Sequence, residues 1–257
     1  MTKPPLHGTG RRSKALSLVL PAFNEEESIA TAIDEADTAL RQLACTYEII
    51  VVDDGSGDST ARVVEEKART NEHVRLLSHS TNRGYGAALR TGFEAARSPL
   101  IAFTDADCQF YLDDLGLLLA RAHDQDVVCG FRVDRQDPWP RRFYSACYNG
   151  FVRGLLSVPV RDCDCALKIF RAETLAAIRI ETDGFLVNAE ILAKLKMQGS
   201  RIAEVGVRHR TRYAGETTVS PLDAIPVVLS LLRFWWTWVL FPPLSVDPVD
   251  YRTSSPS

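Results

Sequence analysis

The chain lacks the marks of several protein classes. Its net charge is only −3 over 257 residues, which gives no global attraction to nucleic acid. Its six cysteines contain no CxxC pair, and Cys163 and Cys165 are too close for an ordinary disulfide. The five histidines do not stand at finger spacing from the cysteines, so a structural zinc site is not expected. Residues 1–14 are polar and Pro-rich, with Lys3, Arg11, Arg12 and Lys14; they read as a disordered basic lead rather than a signal peptide. Reduced thiols and a cytosolic location are therefore expected. There is no internal repeat and no low-complexity tract. Hydrophobic residues make up 46% and charged residues 25%, ordinary proportions for a globular fold, and the length suits one large domain or two small ones.

What is present is an alternation. The apolar run at 16–20 reads as a strand stopped by Pro21. Asn24 is placed to cap a helix, with Glu27 as its box partner, and Ile29, Ile33, Ala36, Leu40 and Leu43 follow at helical spacing. Strands are expected at 47–52, 74–77, 100–103, 166–170 and 201–207, with helices at 60–69, 84–96, 141–156 and 187–198. This pattern implies an α/β fold with a single Rossmann-like, mostly parallel sheet flanked by helices, in which ligands bind at the carboxyl ends of strands. Residues 208–219 read as a basic loop. Residues 225–244 are the most apolar stretch, holding Phe234, Trp235, Trp236, Trp238 and Phe241, but Arg233 interrupts it and Pro226, Pro242 and Pro243 bracket it. A mid-span charge costs about 2.5–3.5 kcal/mol on the insertion scale, so a spanning helix is not favoured. An amphipathic helix at a membrane interface and packing on protein, as a C-terminal helix or a homodimer contact, are equal alternatives.

The chemistry-bearing segments fall at the expected strand ends. Leu100-Ile101-Ala102-Phe103 runs into Thr104-Asp105-Ala106-Asp107-Cys108-Gln109. Two aspartates two residues apart are a hard-oxygen site for Mg²⁺ or Mn²⁺, cations that commonly share ligands with phosphate; a solvated acidic loop is the plainer reading. Pro21 and Phe23 can wall a flat ring, and Glu25 can accept from a ribose, although acids also suit a helix start. Asp53 and Asp54 close the second strand, where a carboxylate can accept from a nucleobase N–H or simply shape a turn. Asn82-Arg83-Gly84-Tyr85-Gly86 opens a helix whose N-terminus can face an anion. Beyond Gly130 arginines accumulate, and guanidinium pairs with phosphate bidentately. Arg132, Arg142, Lys168 and Arg171 are the candidates there; the others are assigned to a solvated face.

In this order the segments LPAFNEEESI, IIVVDDGSGDST, NRGYGAALRTGF, FTDADCQF, DCDCALKIFR and RYAGETTV resemble the inverting family 2 glycosyltransferases, in the dolichol-phosphate mannosyltransferase-like, polyprenyl-phosphate branch. They span residues 20–219, about four-fifths of the chain. The resemblance implies a GT-A fold over 15–220, followed by an apolar, interfacial helical segment at 221–245 and a disordered tail at 246–257. It implies a nucleotide-sugar donor (GDP-mannose or UDP-hexose), a Mg²⁺ or Mn²⁺ ion, and a dolichyl or undecaprenyl phosphate acceptor, with the enzyme peripheral on the cytoplasmic membrane face. Carried over by position, Pro21, Phe23, Glu25 and Asp53 would hold the nucleoside. Asp105, Ala106 and Asp107 would meet the diphosphate, with Asp105, Asp107 and Gln109 as metal ligands. Arg132 would contact the donor or acceptor phosphate, and Arg212, in the loop closing with Gly215-Glu216, would clamp the diphosphate. Arg142, Lys168 and Arg171 would face the acceptor phosphate. One departure stands out: Thr217-Thr218 occupies the place where the mannosyltransferases carry Ser-Lys, which leaves sugars other than mannose open.

A lipid phosphate is already anionic at neutral pH and needs no strong base, whereas a sugar hydroxyl does. With Asp105 and Asp107 given to metal, no other carboxylate stands out as a base, which favours the phosphate acceptor. The alternatives are transfer to a sugar hydroxyl, or a non-catalytic scaffold that binds nucleotide sugar. A sugar nucleotidylyltransferase ranks below these, because Pro21–Glu25 occupies the place of its Gly-rich loop.

Overall fold

The computed structural model describes residues 15–43, 46–133, 139–156, 158–211 and 236–237. Strand β1 (Ala15–Ala22), helix α1 (Ile29–Leu43), β2 (Thr46–Asp53), α2 (Thr60–Thr70), β3 (Val74–Ser78), α3 (Tyr85–Ala95) and β4 (Leu100–Phe103) form a regular alternation. A short 3-10 turn (Leu112–Asp114) leads into α4 (Leu115–Arg121). Then follow β5 (Val127–Arg132), α5 (Trp139–Leu156), β6 (Lys168–Arg171), α6 (Ala172–Ala176), α7 (Val187–Met197) and β7 (Ile202–Val207). The sheet runs β3-β2-β1-β4-β6-β5-β7. Every pairing is parallel except those of β6, which is antiparallel to both β4 and β5.

The central strands are apolar at nearly every position because both of their faces are covered. Leu16, Leu18, Val19, Leu20 and Ile49 to Val52 are wholly buried. Helix α1 packs by the expected stripe: Ile29, Ile33, Ala36 and Leu40 are buried, and Leu43 is partly so. Helix α3 lies close on the sheet at Gly92, where an added Cβ would stand 2.3 Å from Val19 Cγ1. Phe93 then meets Phe103 and Phe170 edge-on at 5.9 Å, and those two rings stack across β4 and β6.

Three local expectations are corrected. Asn24 is not the cap of α1, which starts only at Ile29. Asn24 adopts a left-handed φ of 55°, which asparagine tolerates, and ties to the next loop: its N–H donates to Ser56 Oγ and its Oδ1 accepts from Gly57 N. The segment 127–132, not foreseen as a strand, is β5 and supplies the second half of the sheet with β7. The N-terminus of α3 does not wait for a phosphate. Gly84 N and Arg83 N donate to Asp54, and Gly86 N donates to the Asp183 carbonyl. Among the described residues no helix is long and apolar enough to cross a membrane. Apart from 236–237, the expected apolar segment at 221–245 lies outside the described residues.

Candidate active site

The carboxyl ends of β1, β2 and β4 form one edge of the sheet, because β1 pairs in parallel with both neighbours. The loops leaving β1 and β2 are bound to each other. Asp54 N donates to Ala22 O at 2.9 Å, Glu25 N to Thr60 Oγ1 at 2.8 Å, Glu26 N to Asp58 Oδ2 at 3.1 Å, and Ser59 N to Glu26 Oε2 at 2.9 Å. This brings Pro21, Phe23, Glu25 and Asp53 into a single neighbourhood. Phe23 is exposed there, 39% of its surface being open. The Glu25 carboxylate accepts from Ser28 Oγ at 2.6 Å, and Asp53 Oδ1 from Ser56 N at 3.2 Å. Asp54 turns the other way. It is buried, and receives His79 Nδ1 at 2.6 Å, Arg83 N at 2.9 Å and Gly84 N at 2.8 Å.

Thr104 continues β4 by donating its N–H to Val19 O, and Asp105 to Gln109 form the loop beyond. Asp105 Oδ1 accepts from the Tyr85 hydroxyl at 2.8 Å, and Asp107 Oδ1 from Gln109 N at 3.1 Å. Burial and the Asp105 carboxylate beside it hold the Tyr85 phenol well above its ordinary pKa, so it donates. Cys108 adopts φ 58° and points its Sγ at Ser28 O. Burial, with Glu35 nearby, pushes that thiol up to about 11, so it stays protonated. The loop therefore offers hard oxygen from two carboxylates and no thiolate, a donor set that fits Mg²⁺ or Mn²⁺. Among the described residues no three His, Cys, Asp or Glu side chains gather as a complete metal cage. A cation held by Asp105 and Asp107 would thus draw further oxygens from substrate or water, as Mg²⁺ commonly does.

The segment beyond β7 is stitched to this loop. Phe110 bridges to His209, Arg210 N donates to Gln109 O at 2.9 Å, and Arg210 Nε donates to Cys108 O. Arg208 forks onto Asp114 at 2.8–3.2 Å. Arg212, two residues beyond Arg210, lies outside the described residues.

The cationic candidates fare differently. Arg132 ends β5 on the same edge of the sheet, but its fork grips Asp162 with two bonds of 2.7 Å. Arg142 is on α5, and its side chain lies outside the described residues. Lys168 is wholly buried: its Nζ donates to Cys163 O, Cys165 O and Asn188 Oδ1. Three acceptors use all three ammonium protons, so Lys168 does not face an acceptor phosphate. Nor does Arg171, which pairs with Leu100 at the opposite end of β4 and donates to the carbonyls of Gln125, Ala122 and His123. Residues given no role of their own by the sequence stand at the site instead: Tyr85, Asn188, and the buried Glu190–Lys194 pair. Glu190 accepts from Glu181 N and Thr182 N at 2.8 Å and from Lys194 Nζ at 2.6 Å, holding the loop that leads to Phe185, which stacks on Tyr85 at 5.6 Å. Only Tyr85 carried a signal, as an aromatic inside the Gly-x-Gly helix start.

A parallel sheet entered on one side by a single antiparallel strand, with the aspartate-bearing loop at that junction, is the GT-A-like layout of a glycosyltransferase. The chain belongs to glycosyl transferase family 2, which matches residues 17–179. It is 31% identical over 226 residues to undecaprenyl-phosphate 4-deoxy-4-formamido-L-arabinose transferase from Proteus mirabilis (strain HI4320), covering 87% of this chain and 68% of that one. Its fold is similar to glucosyl-3-phosphoglycerate synthase from Mycobacterium tuberculosis. The complex with Mn²⁺, UDP and phosphoglyceric acid superposes with a TM-score of 0.66 at 22% identity, covering 86% of this chain and 78% of that one. The complex with Mg²⁺ and UDP gives 0.66 at 20% identity, covering 86% and 79%.

Proposed function

We propose that this glycosyltransferase moves a sugar, with inversion, from a nucleotide-sugar donor to a polyprenyl phosphate. The observation that carries the donor side is the adjacency of the strapped β1–β2 loops to Asp105 and Asp107. Asp53 ends β2 and Asp105 follows β4, two strand spacings apart, or roughly 10 Å. That is the reach from a nucleobase to the diphosphate of one nucleotide. Phe23 and Pro21 would wall the base, Asp53 would accept from its N–H, and Glu25 would accept from the ribose. Asp105 and Asp107, with Gln109 alongside, would hold a Mg²⁺ or Mn²⁺ ion. That ion supplies charge neutralisation for the departing diphosphate.

The acceptor side rests on the relative whose name specifies undecaprenyl phosphate. An acceptor that is already anionic needs positioning and charge balance rather than a base. With Lys168 and Arg171 committed inside the fold, we assign those tasks to Arg142, and Arg212 keeps the role of clamping the donor diphosphate. Arg132 then acts by clamping the loop at Asp162 as much as by meeting phosphate directly. The sugar is left wider than mannose by Thr217-Thr218, and the same relative is named for a modified arabinose rather than a hexose.

The test is a donor panel (GDP-mannose, UDP-glucose, UDP-N-acetylglucosamine and a UDP-pentose) with polyprenyl phosphate and Mn²⁺, scoring labelled sugar in the organic phase. One donor should give a lipid-linked product, and Asp107→Asn should abolish it while the fold is retained. Label appearing only on a soluble acceptor such as phosphoglyceric acid would replace the lipid with a hydroxyl acceptor. Nucleotide binding without any transfer would favour the scaffold.

A further inference from the structure

Tyr85 opens α3, and its hydroxyl donates to Asp105 Oδ1 at 2.8 Å. Asn188 lies beside the phenol, and its Oδ1 accepts from Lys168 Nζ at 3.0 Å. The chemistry of the three groups dictates the direction of every proton. Lysine only donates, so the oxygen of the Asn188 amide faces it, and that amide can offer the phenol only an N–H. The phenol has one proton, and it points at Asp105. The relay has a rigid base. Lys168 is fully buried and holds the carbonyls of Cys163 and Cys165, while Asn188 is 5% exposed. The loop bearing those carbonyls is pinned again by Arg132 on Asp162 and by Cys163 N donating to Asn149 Oδ1 at 2.7 Å.

We propose that Tyr85 is the positioning residue for the carboxylate of Asp105, and that Lys168 and Asn188 behind it fix which way its proton points. Asp105 sits on a loop, and a side chain there loses rotamer freedom when it must present oxygen to a cation. A donor locked onto one carboxylate oxygen sets the plane of the group before the cation arrives. Partners that orient a metal ligand in this way typically change metal affinity by about 10–100-fold when removed. Lys168 thereby gains a role in place of the one expected of it: it serves the donor side from inside the core.

The inference rests on Asp105 being a ligand of the divalent cation, and the experiment separates the two claims. Mn²⁺ binding to the purified full chain in the presence of UDP, with no acceptor, is followed by the paramagnetic resonance signal of free Mn²⁺. Tyr85→Phe keeps the ring and its stack on Phe185. It should weaken Mn²⁺ by roughly tenfold while the melting temperature and the metal-free affinity for UDP stay at wild-type values. Asn188→Asp keeps an acceptor for Lys168 but turns the partner of the phenol into an acceptor, drawing the proton away from Asp105. It should weaken Mn²⁺ to a similar degree, with no further loss in the double variant. Wild-type Mn²⁺ affinity in Tyr85→Phe, alongside a loss in Asp105→Asn, would overturn the positioning role alone. Wild-type affinity in Asp105→Asn would overturn the ligand assignment and the inference with it. If Tyr85→Phe melts early, Asn188→Asp decides by the same readout.

Discussion

Asp53 and Asp54 are neighbours in sequence with opposite duties. Alternation along a strand sends their side chains to different faces. Asp54 is consumed within the fold by His79, Arg83 N and Gly84 N. Asp53 is also buried, but among the described residues its carboxylate accepts only one bond, the turn N–H of Ser56. The two therefore separate binding from stability. Asp54→Ala leaves buried donors unmatched, His79 Nδ1 among them, each worth about 1–3 kcal/mol, so thermal unfolding should move down by several degrees. Asp53→Asn should leave the melting temperature nearly unchanged but weaken metal-free UDP binding by roughly tenfold, measured by calorimetry. Equal losses of stability in both variants would remove Asp53 from the nucleoside site.

Helices and loops show where sequence reading succeeds. The four strands β1 to β4 and the helices between them were legible because each strand is a short, mainly apolar run, closed at Pro21, Asp53, Ser78 and Thr104-Asp105 in turn, and each helix carries a periodic apolar face. Strand β5 was not, since Val127-Val128-Cys129-Gly130 is short, follows a polar stretch and contains a glycine that reads as a break. The aspartate pair and the β1–β2 loops were legible because their order along the chain maps directly onto adjacent strand ends. The burial of Lys168 was not: a charge in the sequence looks available to a ligand, and only the fold puts three oxygens around Lys168. Invisible too was the docking of the 181–185 loop on α3. There, a Cβ at Gly86 would stand 2.2 Å from Thr182 O and 2.9 Å from the Asp183 carbonyl carbon, backbone atoms that cannot rotate aside. Gly86→Ala should push the loop off the helix, break the Gly86 N bond to Asp183 O and unstack Phe185 from Tyr85. Such overpacking costs about 1–3 kcal/mol. Limited proteolysis should then cut within 181–186 at a protease level that leaves the wild type intact; unchanged protection would mean that Glu190 and Arg90 hold the loop without the helix contact.

At the scale of the molecule, the active edge is the carboxyl end of the sheet, and the opposite end is what holds the strands in order. Glu48 on β2 gathers three elements there. It accepts from Ser17 Oγ on β1 at 2.6 Å, from Arg97 N before β4 at 2.8 Å, and from Arg75 on β3. Burial alone would raise its pKa, but the bonds from Ser17, Arg97 and Arg75 outweigh burial, and the carboxyl lies below its ordinary value of 4.5. A carboxylate depressed in the folded state contributes stability above its unfolded pKa, and that contribution is lost as pH falls through the ordinary value and then through the folded one. Glu48→Gln should therefore be less stable than wild type at neutral pH, and the gap should narrow as pH drops below about 5. Melting temperatures of the two proteins from pH 7 to pH 3 give the comparison. A gap that stays constant across that range would mean that Glu48 works through shape and neutral hydrogen bonds. The charge that registers β1, β2, β3 and β4 against one another, and so sets the spacing between Asp53 and Asp105, would then have to be sought elsewhere.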